Sequence, residues 1–243
     1  MQPSIRCLEG YLEIMAKDPA PVLRRTPKEP RPDRRFAILL AAEKLFAQHG
    51  YNGVSIRQIA DEAAVPLALV GYYFGPKHAL FRAIFEHWNS TIDERLAALA
   101  TVRAHAAEAD YLEQVVAAFI GPVLRLRASP KGEWYALLLT RGANEPNQEA
   151  DQILREFFDP LANAFIDALL DAFPGSTRAQ MAWSYQFMLG ALLHHIGDTR
   201  VHHLSGGINT PNDPAAAPLL EAFITGGMRQ AMAVKFVPPS PAP

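Results

Sequence analysis

The sequence contains a single cysteine and no long hydrophobic run, and each shortage excludes a class of protein. Cys7 on its own forms neither an internal disulfide nor a thiolate zinc cluster. No apolar stretch approaches the ~20 residues that cross a bilayer. Glu9 and Glu13 stand where a secretory signal would need apolar residues. We therefore expect no membrane partner and a cytoplasmic location.

Strand-like alternation of apolar and polar residues between turns is also absent. From Phe36 onward the apolar residues recur at helical spacing instead. The chain has 243 residues, of which 49% are hydrophobic, and this is enough to fill a helical core. The sequence therefore predicts an all-α fold, with short helices before Pro76 and longer helices after it.

Positive charge is concentrated at the front of the chain, although the formal net charge is only -2. Residues 1–82 contain 12 Lys and Arg against 8 Asp and Glu, a balance of +4, which leaves 11 against 17, or -6, for residues 83–243. A basic front and an acidic rear suit a protein that presents one end to phosphates. Chance variation in charge is the alternative interpretation.

Composition divides the chain into four parts. Proline and basic residues dominate the stretch before Phe36 and offer little to bury, so we interpret residues 1–34 as a flexible basic arm. Residues 35–82 contain the short helices, and residues 83–236 contain the long ones. The proline-rich residues 237–243 are expected to form a frayed tail.

The short helices have clear start and stop signals. The predicted first helix, residues 36–49, is followed by Gly50, where a C-cap glycine belongs. Ser55 opens a second helix, with Gln58 at the spacing of a capping box. Pro66 starts a third helix, which the next Gly-Pro pair confines to about eight residues.

The longer helices are predicted from apolar stripes. The stripe of the fourth helix runs unbroken through Leu80, Ile84, Trp88, Ile92 and Leu96. Further helices are predicted at residues 111–126, 134–140, 154–173 with a kink near Pro160, 177–197 and 218–234. The helix at 177–197 is apolar on nearly every side, so one face packs on its own subunit and the other needs a partner.

Three segments of this front half form recognisable motifs. They read Phe-Ala-x-x-Gly-Tyr at residues 46–51, Val-Ser-Ile-Arg-Gln-Ile-Ala-Asp-Glu-Ala-Ala-Val at 54–65, and Tyr-Tyr-Phe-Gly-Pro-Lys-His-Ala-Leu at 72–80. In this order and spacing the motifs resemble the DNA-binding domain of TetR/AcrR-type transcriptional regulators. The resemblance implies a three-helix helix-turn-helix domain followed by a helical bundle that binds an effector and dimerises. It also implies a regulator, with repression as the default, that a small, largely apolar effector releases from a palindromic operator.

In such a domain the third helix enters the major groove of double-stranded DNA, and flanking elements hold phosphates. The DNA-binding residues that the resemblance implies are Ser55, Arg57, Leu67, Ala68, Leu69, Gly71, Tyr72, Tyr73, Lys77 and His78. Gly71 is a departure, because many members carry tyrosine or another large polar residue there. The third helix then has no charged or amide side chain, so readout depends on thymine methyl groups and the Tyr72 hydroxyl. Alternatively, Leu67 and Leu69 are core residues.

Family members bind small molecules inside the C-terminal bundle, and the aromatic content here suits an acyl or aromatic guest. The predicted ligand-binding residues are Phe119, Trp134, Leu138, Trp183 and Phe187, with Arg141 as an anchor for a carboxylate or phosphate. Core packing is the alternative for each aromatic residue, and a surface ion pair is the alternative for Arg141. Residues 187–194 resemble fatty-acid-responsive regulators of the PsrA type. The last two helices are expected to form a homodimer.

The sequence offers little support for catalysis. His194, His195, His202 and His203 lack carboxylates at matching spacing, so we interpret them as surface or interface residues and predict neither metal nor cofactor. No Ser-His-Asp order, phosphate loop or paired carboxylates stand out, so we predict no enzyme. Two alternatives remain. One is a small-molecule-binding protein or enzyme with a degenerate DNA-binding domain, and the other is a helical protein-interaction module.

Overall fold

Eleven α-helices and one short 3-10 helix make up most of residues 33–142 and 148–234, which are the residues that the computed structural model describes. The helices are α1 (Arg34–His49), α2 (Ile56–Glu62), α3 (Leu67–Phe74), α4 (Lys77–His87), α5 (Asn89–Arg103), α6 (Tyr111–Ala128), α7 (Glu133–Gly142), α8 (Gln148–Ala172), α9 (Arg178–Gly197), α10 (Val201–Leu204) and α11 (Ala217–Met232). These residues contain no strand, which confirms the all-α prediction. We call α1–α4 the head and α5–α11 the body.

The predicted arm and tail fall almost entirely outside the described residues. Of the arm, only Asp33 and Arg34 are described, and Arg34 is already the first residue of α1. The last described residue is Val234. The proposed division at residues 82 and 83 falls within α4.

Local sequence signals account for the ends of the short helices. The Ser55 hydroxyl accepts a hydrogen bond from the Gln58 N–H at 3.3 Å, and the Gln58 side chain accepts one from the Ser55 N–H at 2.8 Å, which confirms the capping box. Gly50 has a φ of 75°, a left-handed conformation that glycine adopts at low cost, and its N–H donates to the Phe46 carbonyl. Ala64, in the turn between α2 and α3, also has a positive φ, of 52°.

The predicted unbroken stripe through Trp88 is wrong, because the helix ends there and a new one begins at Asn89. Trp88 leaves helical geometry with φ of -97° and ψ of 8°. Its indole Nε1–H donates to the Glu43 carboxyl at 2.7 Å, and its ring stacks on Tyr135 with centroids 5.3 Å apart. These tertiary contacts stabilise the break between α4 and α5. They cannot be predicted from helical periodicity.

The described residues form two hydrophobic cores. The head core is built from α1–α4, and it also includes Tyr135 and Leu138 of α7 and Ala150 and Ile153 of α8. The body core lies among α5, α6, α8, α9 and α11, with Ala136 of α7. The head is therefore seated on the body through shared apolar residues.

Phe85 of α4 is central to this junction. Its side chain is 1% exposed, and its ring centroid lies 5.0 Å from that of Phe81, 5.8 Å from those of Tyr135 and Phe157, and 6.1 Å from that of Phe158. Edge-to-face and tilted aromatic contacts at such distances are favourable. One residue thus joins α4 to both α7 and α8.

Candidate DNA-binding surface and effector site

Helix α3 has one buried face and one free face. Val70 and Phe74 are buried in the head core. Leu67 is 45% exposed and Tyr72 is 79% exposed, and Ala68 is also exposed. A short helix whose opposite face is left open on a three-helix platform has the geometry of a recognition helix.

The two leucines of α3 differ in their surroundings. Leu67 lies on the free face, whereas Leu69 is half-buried and packs against the head core. Gly71 is exposed, and a Cβ added there would meet no atom within 4 Å. The free face of α3 therefore has an open position at Gly71, next to the exposed Tyr72 ring.

Most of the predicted phosphate-contacting residues are exposed on the head. Ser55 and Arg57, at the start of α2, are exposed, as is His78 at the start of α4. Tyr73 is 37% exposed, and its ring lies edge-on to that of Tyr72, with centroids 5.1 Å apart. Hydroxyl, guanidinium and imidazole groups of this kind position DNA without reading its sequence.

Lys77 is half-buried at the first turn of α4. Its ammonium nitrogen lies 4.3 Å from the centroid of the Tyr51 ring, within the range of a cation–π interaction. This contact holds the Lys77 side chain against the Tyr51 ring.

The predicted effector residues do not converge on one cavity. Phe119 is buried in the body core, whereas Leu138 and Trp134 belong to the head core. Trp183 and Phe187 are 52% and 64% exposed and stack on each other at the surface of α9, with ring centroids 5.8 Å apart. The structure therefore places these five residues in three separate environments.

The arginine inside the body is not the predicted one. Arg141 is exposed, whereas Arg95 of α5 is 5% exposed and belongs to the buried face of its helix. The sequence did contain a sign of this, because Arg95 falls three residues after Ile92 and four before Leu99, both buried. The predicted apolar stripe passes through Leu96 instead of Arg95.

Arg95 lies among aromatic rings. Its guanidinium carbon is 4.2 Å from the centroid of Phe119 and 5.9 Å from that of Phe165. Burial lowers the pKa of Arg95 to about 10, an effect partly opposed by Tyr185 and Tyr135. The group still carries its positive charge at neutral pH, because this value remains well above 7.

A buried carboxyl occupies the joint between head and body. Glu43 of α1 is 1% exposed and accepts the hydrogen bond from Trp88. Burial raises the pKa of Glu43 to about 7, although hydrogen bonds from Trp88 and from the backbone of Tyr135 act in the opposite direction. Burial dominates because desolvation disfavours the ionised form more than two hydrogen bonds favour it.

A second contact between head and body lies at the surface. The Arg82 guanidinium of α4 donates to both oxygens of the Glu156 carboxylate of α8, at 2.7 and 2.6 Å. This bidentate geometry is the strongest form of an arginine–carboxylate pair. It lowers the pKa of Glu156 and raises that of Arg82.

The face formed by α9 and α11 is apolar and exposed. Phe187 and Phe223, the latter 71% exposed, border a groove of about 190 Å³ between the two helices. Gly190 of α9 and Gly227 of α11 leave open space, since an added Cβ at either would meet no atom within 4 Å. Large apolar side chains beside glycines form a surface that a further helix can approach closely.

Residues 33–142 and 148–234 contain neither a metal-binding cluster nor a membrane-spanning helix. No group of three or more His, Cys, Asp or Glu side chains there is arranged to hold a metal ion. His194 instead lies 3.1 Å from the Asp198 carboxylate. None of the helices in these ranges combines the length and apolarity of a bilayer span.

A helical platform that presents a short open helix, joined to a larger helical body, is the arrangement of a helix-turn-helix regulator. Residues 38–84 match the family described as bacterial regulatory proteins, tetR family. Residues 117–227 match the tetracyclin repressor-like C-terminal domain. The chain belongs to the TetR family.

Individual relatives and solved structures agree with this family. The transcriptional activator FasR from Mycolicibacterium smegmatis is 34% identical over 70 residues, which are 29% of this chain and 32% of FasR. The fatty acid degradation regulator FadR from Bacillus halodurans has the same fold, with a TM-score of 0.56 and 16% identity over 84% of this chain and 99% of that one. FadR from Bacillus subtilis, solved with stearoyl-CoA, gives a TM-score of 0.52 at 15% identity, over 79% of this chain and 98% of that one. The chain thus aligns with about a third of the length of FasR.

Proposed function

We propose that this protein is a cytoplasmic transcriptional regulator, a repressor by default, that binds a palindromic operator as a homodimer. The observation that carries the proposal is the open face of α3, where Leu67 and Tyr72 are exposed while Val70 and Phe74 anchor the helix in the head core. Membership of the TetR family supports it. In this role the protein is a binding protein rather than an enzyme.

The free face of α3 reads bases, and the residues around it hold phosphates. Leu67, Ala68 and Tyr72 offer methyl groups, an aromatic edge and one hydroxyl, which suit thymine methyl groups and single hydrogen bonds in the major groove. Leu69 contributes less, because it is half-buried. The open space at Gly71 allows the helix backbone to approach the DNA closely.

DNA affinity selection with the purified full-length protein tests the class. An enriched palindrome whose half-sites lie about one helical turn apart is the expected result, because a twofold dimer presents two recognition helices to successive major grooves. Recovery of random sequence with no salt-dependent binding would instead favour a small-molecule-binding protein with a degenerate DNA-binding domain.

Lys77→Ala is expected to weaken binding to the selected operator and to random DNA equally, by about three- to tenfold, because phosphate contacts carry no sequence information. Leu67→Ala is expected to change mainly which bases are preferred. Gel-shift titrations at two salt concentrations measure both effects, and the salt slope should fall by about 1 for the lysine variant.

Lys131→Ala is the matched control, since it removes the same charge from an exposed position before α7. Melting curves check that loss of the Lys77 contact with Tyr51 has not unfolded the head. An equal loss of operator and random-DNA binding in both the Lys77 and Leu67 variants would contradict the division of roles.

The dimer is proposed to form through α9 and α11, with a second copy of the chain on the apolar face. Trp183, Phe187, Leu219 and Phe223 are all more than half exposed on these two helices. The neighbouring glycines let the helices of the second copy approach closely. Burial of this face in a twofold interface removes aromatic surface from water, which is the usual basis of a stable homodimer.

Phe223→Asp is expected to raise the dimer dissociation constant by about a hundredfold or more, because it places a carboxylate in the centre of the interface. Sedimentation equilibrium over a range of concentrations measures the change. Leu204→Asp, on the 78% exposed side chain of α10 outside the groove, is the control and is expected to remain dimeric. An unchanged dissociation constant for the Phe223 variant would place the interface elsewhere.

The effector is proposed to bind within the body and to shift the head through α4. Phe85 and the Arg82–Glu156 pair connect α4 to the body, so a displacement of α7 or α8 reaches the head without crossing a flexible linker. A changed separation of the two recognition helices then no longer matches successive major grooves. The stearoyl-CoA held by FadR supports an acyl chain as the apolar part of the effector.

A further inference from the structure

Two N–H donors of the Arg95 guanidinium have no acceptor among the described residues. Its Nε and Nη2 atoms are buried and lack a hydrogen-bond partner. The ion pairs between described residues do not include Arg95. A buried charge without a partner is strongly unfavourable, and the cation–π contact with Phe119 recovers only part of this cost.

The two free donors define the shape of a suitable partner. Nε–H and Nη2–H lie parallel along one edge of the planar guanidinium, and this edge matches the two oxygens of a carboxylate. The titratable groups that act on the charge of Arg95 are Tyr185 and Tyr135, and neither is a carboxylate that could take this position. The Nε–H and Nη2–H edge of Arg95 therefore has no acceptor among the described residues.

The residues around Arg95 limit both the charge of the bound anion and the chemistry of the group attached to it. Arg95 provides a single positive charge among Phe119, Phe165 and Tyr185. A singly charged carboxylate would be neutralised there, whereas a phosphate dianion would leave one negative charge buried without a partner. The neighbouring rings suit an apolar group attached to the anion.

We propose that Arg95 binds the carboxylate of the effector, and that the effector is an aromatic or acyl carboxylate rather than a phosphate ester. This proposal rests on the effector role proposed above for the body. Arg95 replaces Arg141, which is exposed, as the proposed anchor.

Isothermal titration of the full-length protein, in the absence of DNA, tests the ligand class. Benzoate and octanoate are compared with the neutral benzamide and octanamide, and inorganic phosphate is a further probe. Each carboxylate is expected to bind at least about tenfold more tightly than its amide. Equal affinities within both pairs, or tighter binding of phosphate than of either carboxylate, would overturn the proposal.

Variants test the residue. Arg95→Met is expected to abolish the preference for carboxylate over amide, and Arg95→Lys, which keeps the charge but not the two-donor edge, is expected to reduce it by about tenfold. Arg141→Met is the matched control and is expected to retain the full preference. A preference that survives in the Arg95→Met protein would overturn the assignment.

Ligand-free stability separates a binding role from a structural one. Arg95→Met is expected to raise the melting temperature by about 3 °C or more, because it removes a buried charge that has no partner. A lower melting temperature, or failure to fold, would mean that Arg95 supports the core and would overturn the proposal. Operator binding is measured separately. If the wild-type protein bound no operator, the regulator role would be refuted, but the carboxylate preference would still stand.

Discussion

Glu43→Gln is expected to remove about 3 kcal/mol of pH dependence from the free energy of unfolding between pH 4.5 and pH 8. The pKa of Glu43 is raised from 4.5 to about 7 in the folded protein, so the folded state holds this proton more tightly than the unfolded state does. The stabilisation from this group is therefore fully present below pH 4.5. It is lost as the pH rises to about 7. Glutamine stays neutral throughout, and its carbonyl oxygen still accepts from Trp88.

Urea unfolding of the wild-type protein and the variant at a series of pH values measures this effect. The stability of the variant relative to wild type should rise by about 3 kcal/mol from pH 4.5 to pH 8, whatever the offset at a single pH. Glu86→Gln, at an exposed position of α4, is the control and should stay within about 0.5 kcal/mol of wild type. Parallel pH profiles for wild type and the Glu43 variant would show that the buried carboxyl does not titrate as described.

Phe85→Ala is expected to lower the free energy of unfolding by about 3–5 kcal/mol, because it leaves a cavity among four aromatic rings. Phe36→Ala provides the comparison, since the Phe36 ring is 42% exposed and its loss should cost about 1 kcal/mol or less. Both are measured by urea unfolding at one protein concentration, because the proposed dimerisation would make stability depend on concentration. Similar losses for the two variants would mean that Phe85 does not hold the junction together.

Local chemistry made the head predictable from the sequence. The capping box at Ser55, the C-cap glycine at position 50 and the proline before α3 each act within a few residues, so the sequence alone locates the helix ends. The same is true of α3, in which Tyr72, predicted to contact DNA, is exposed while Val70 is buried.

Long-range contacts made the effector region unpredictable. The break at Trp88 depends on Glu43 and Tyr135, which lie 45 and 47 positions away in the sequence and are brought together only by the fold. Helical periodicity continued across this break predicts Leu96 as the buried residue, whereas Arg95 is buried and Leu96 is half-buried. In α9, apolar residues occur on every side, so the sequence does not identify the buried face. Trp183 is predicted to lie inside, but it lies at the surface.

The head core has a consequence for how a signal can travel. Since Tyr135 and Leu138 complete the packing around α1 and α4, the head has no closed interior of its own. A hinge that separated it cleanly from the body would expose apolar surface to water. In the proposed regulator, communication between effector and operator would then proceed by small displacements of the residues packed between head and body, through α7, which contributes to the core around α1.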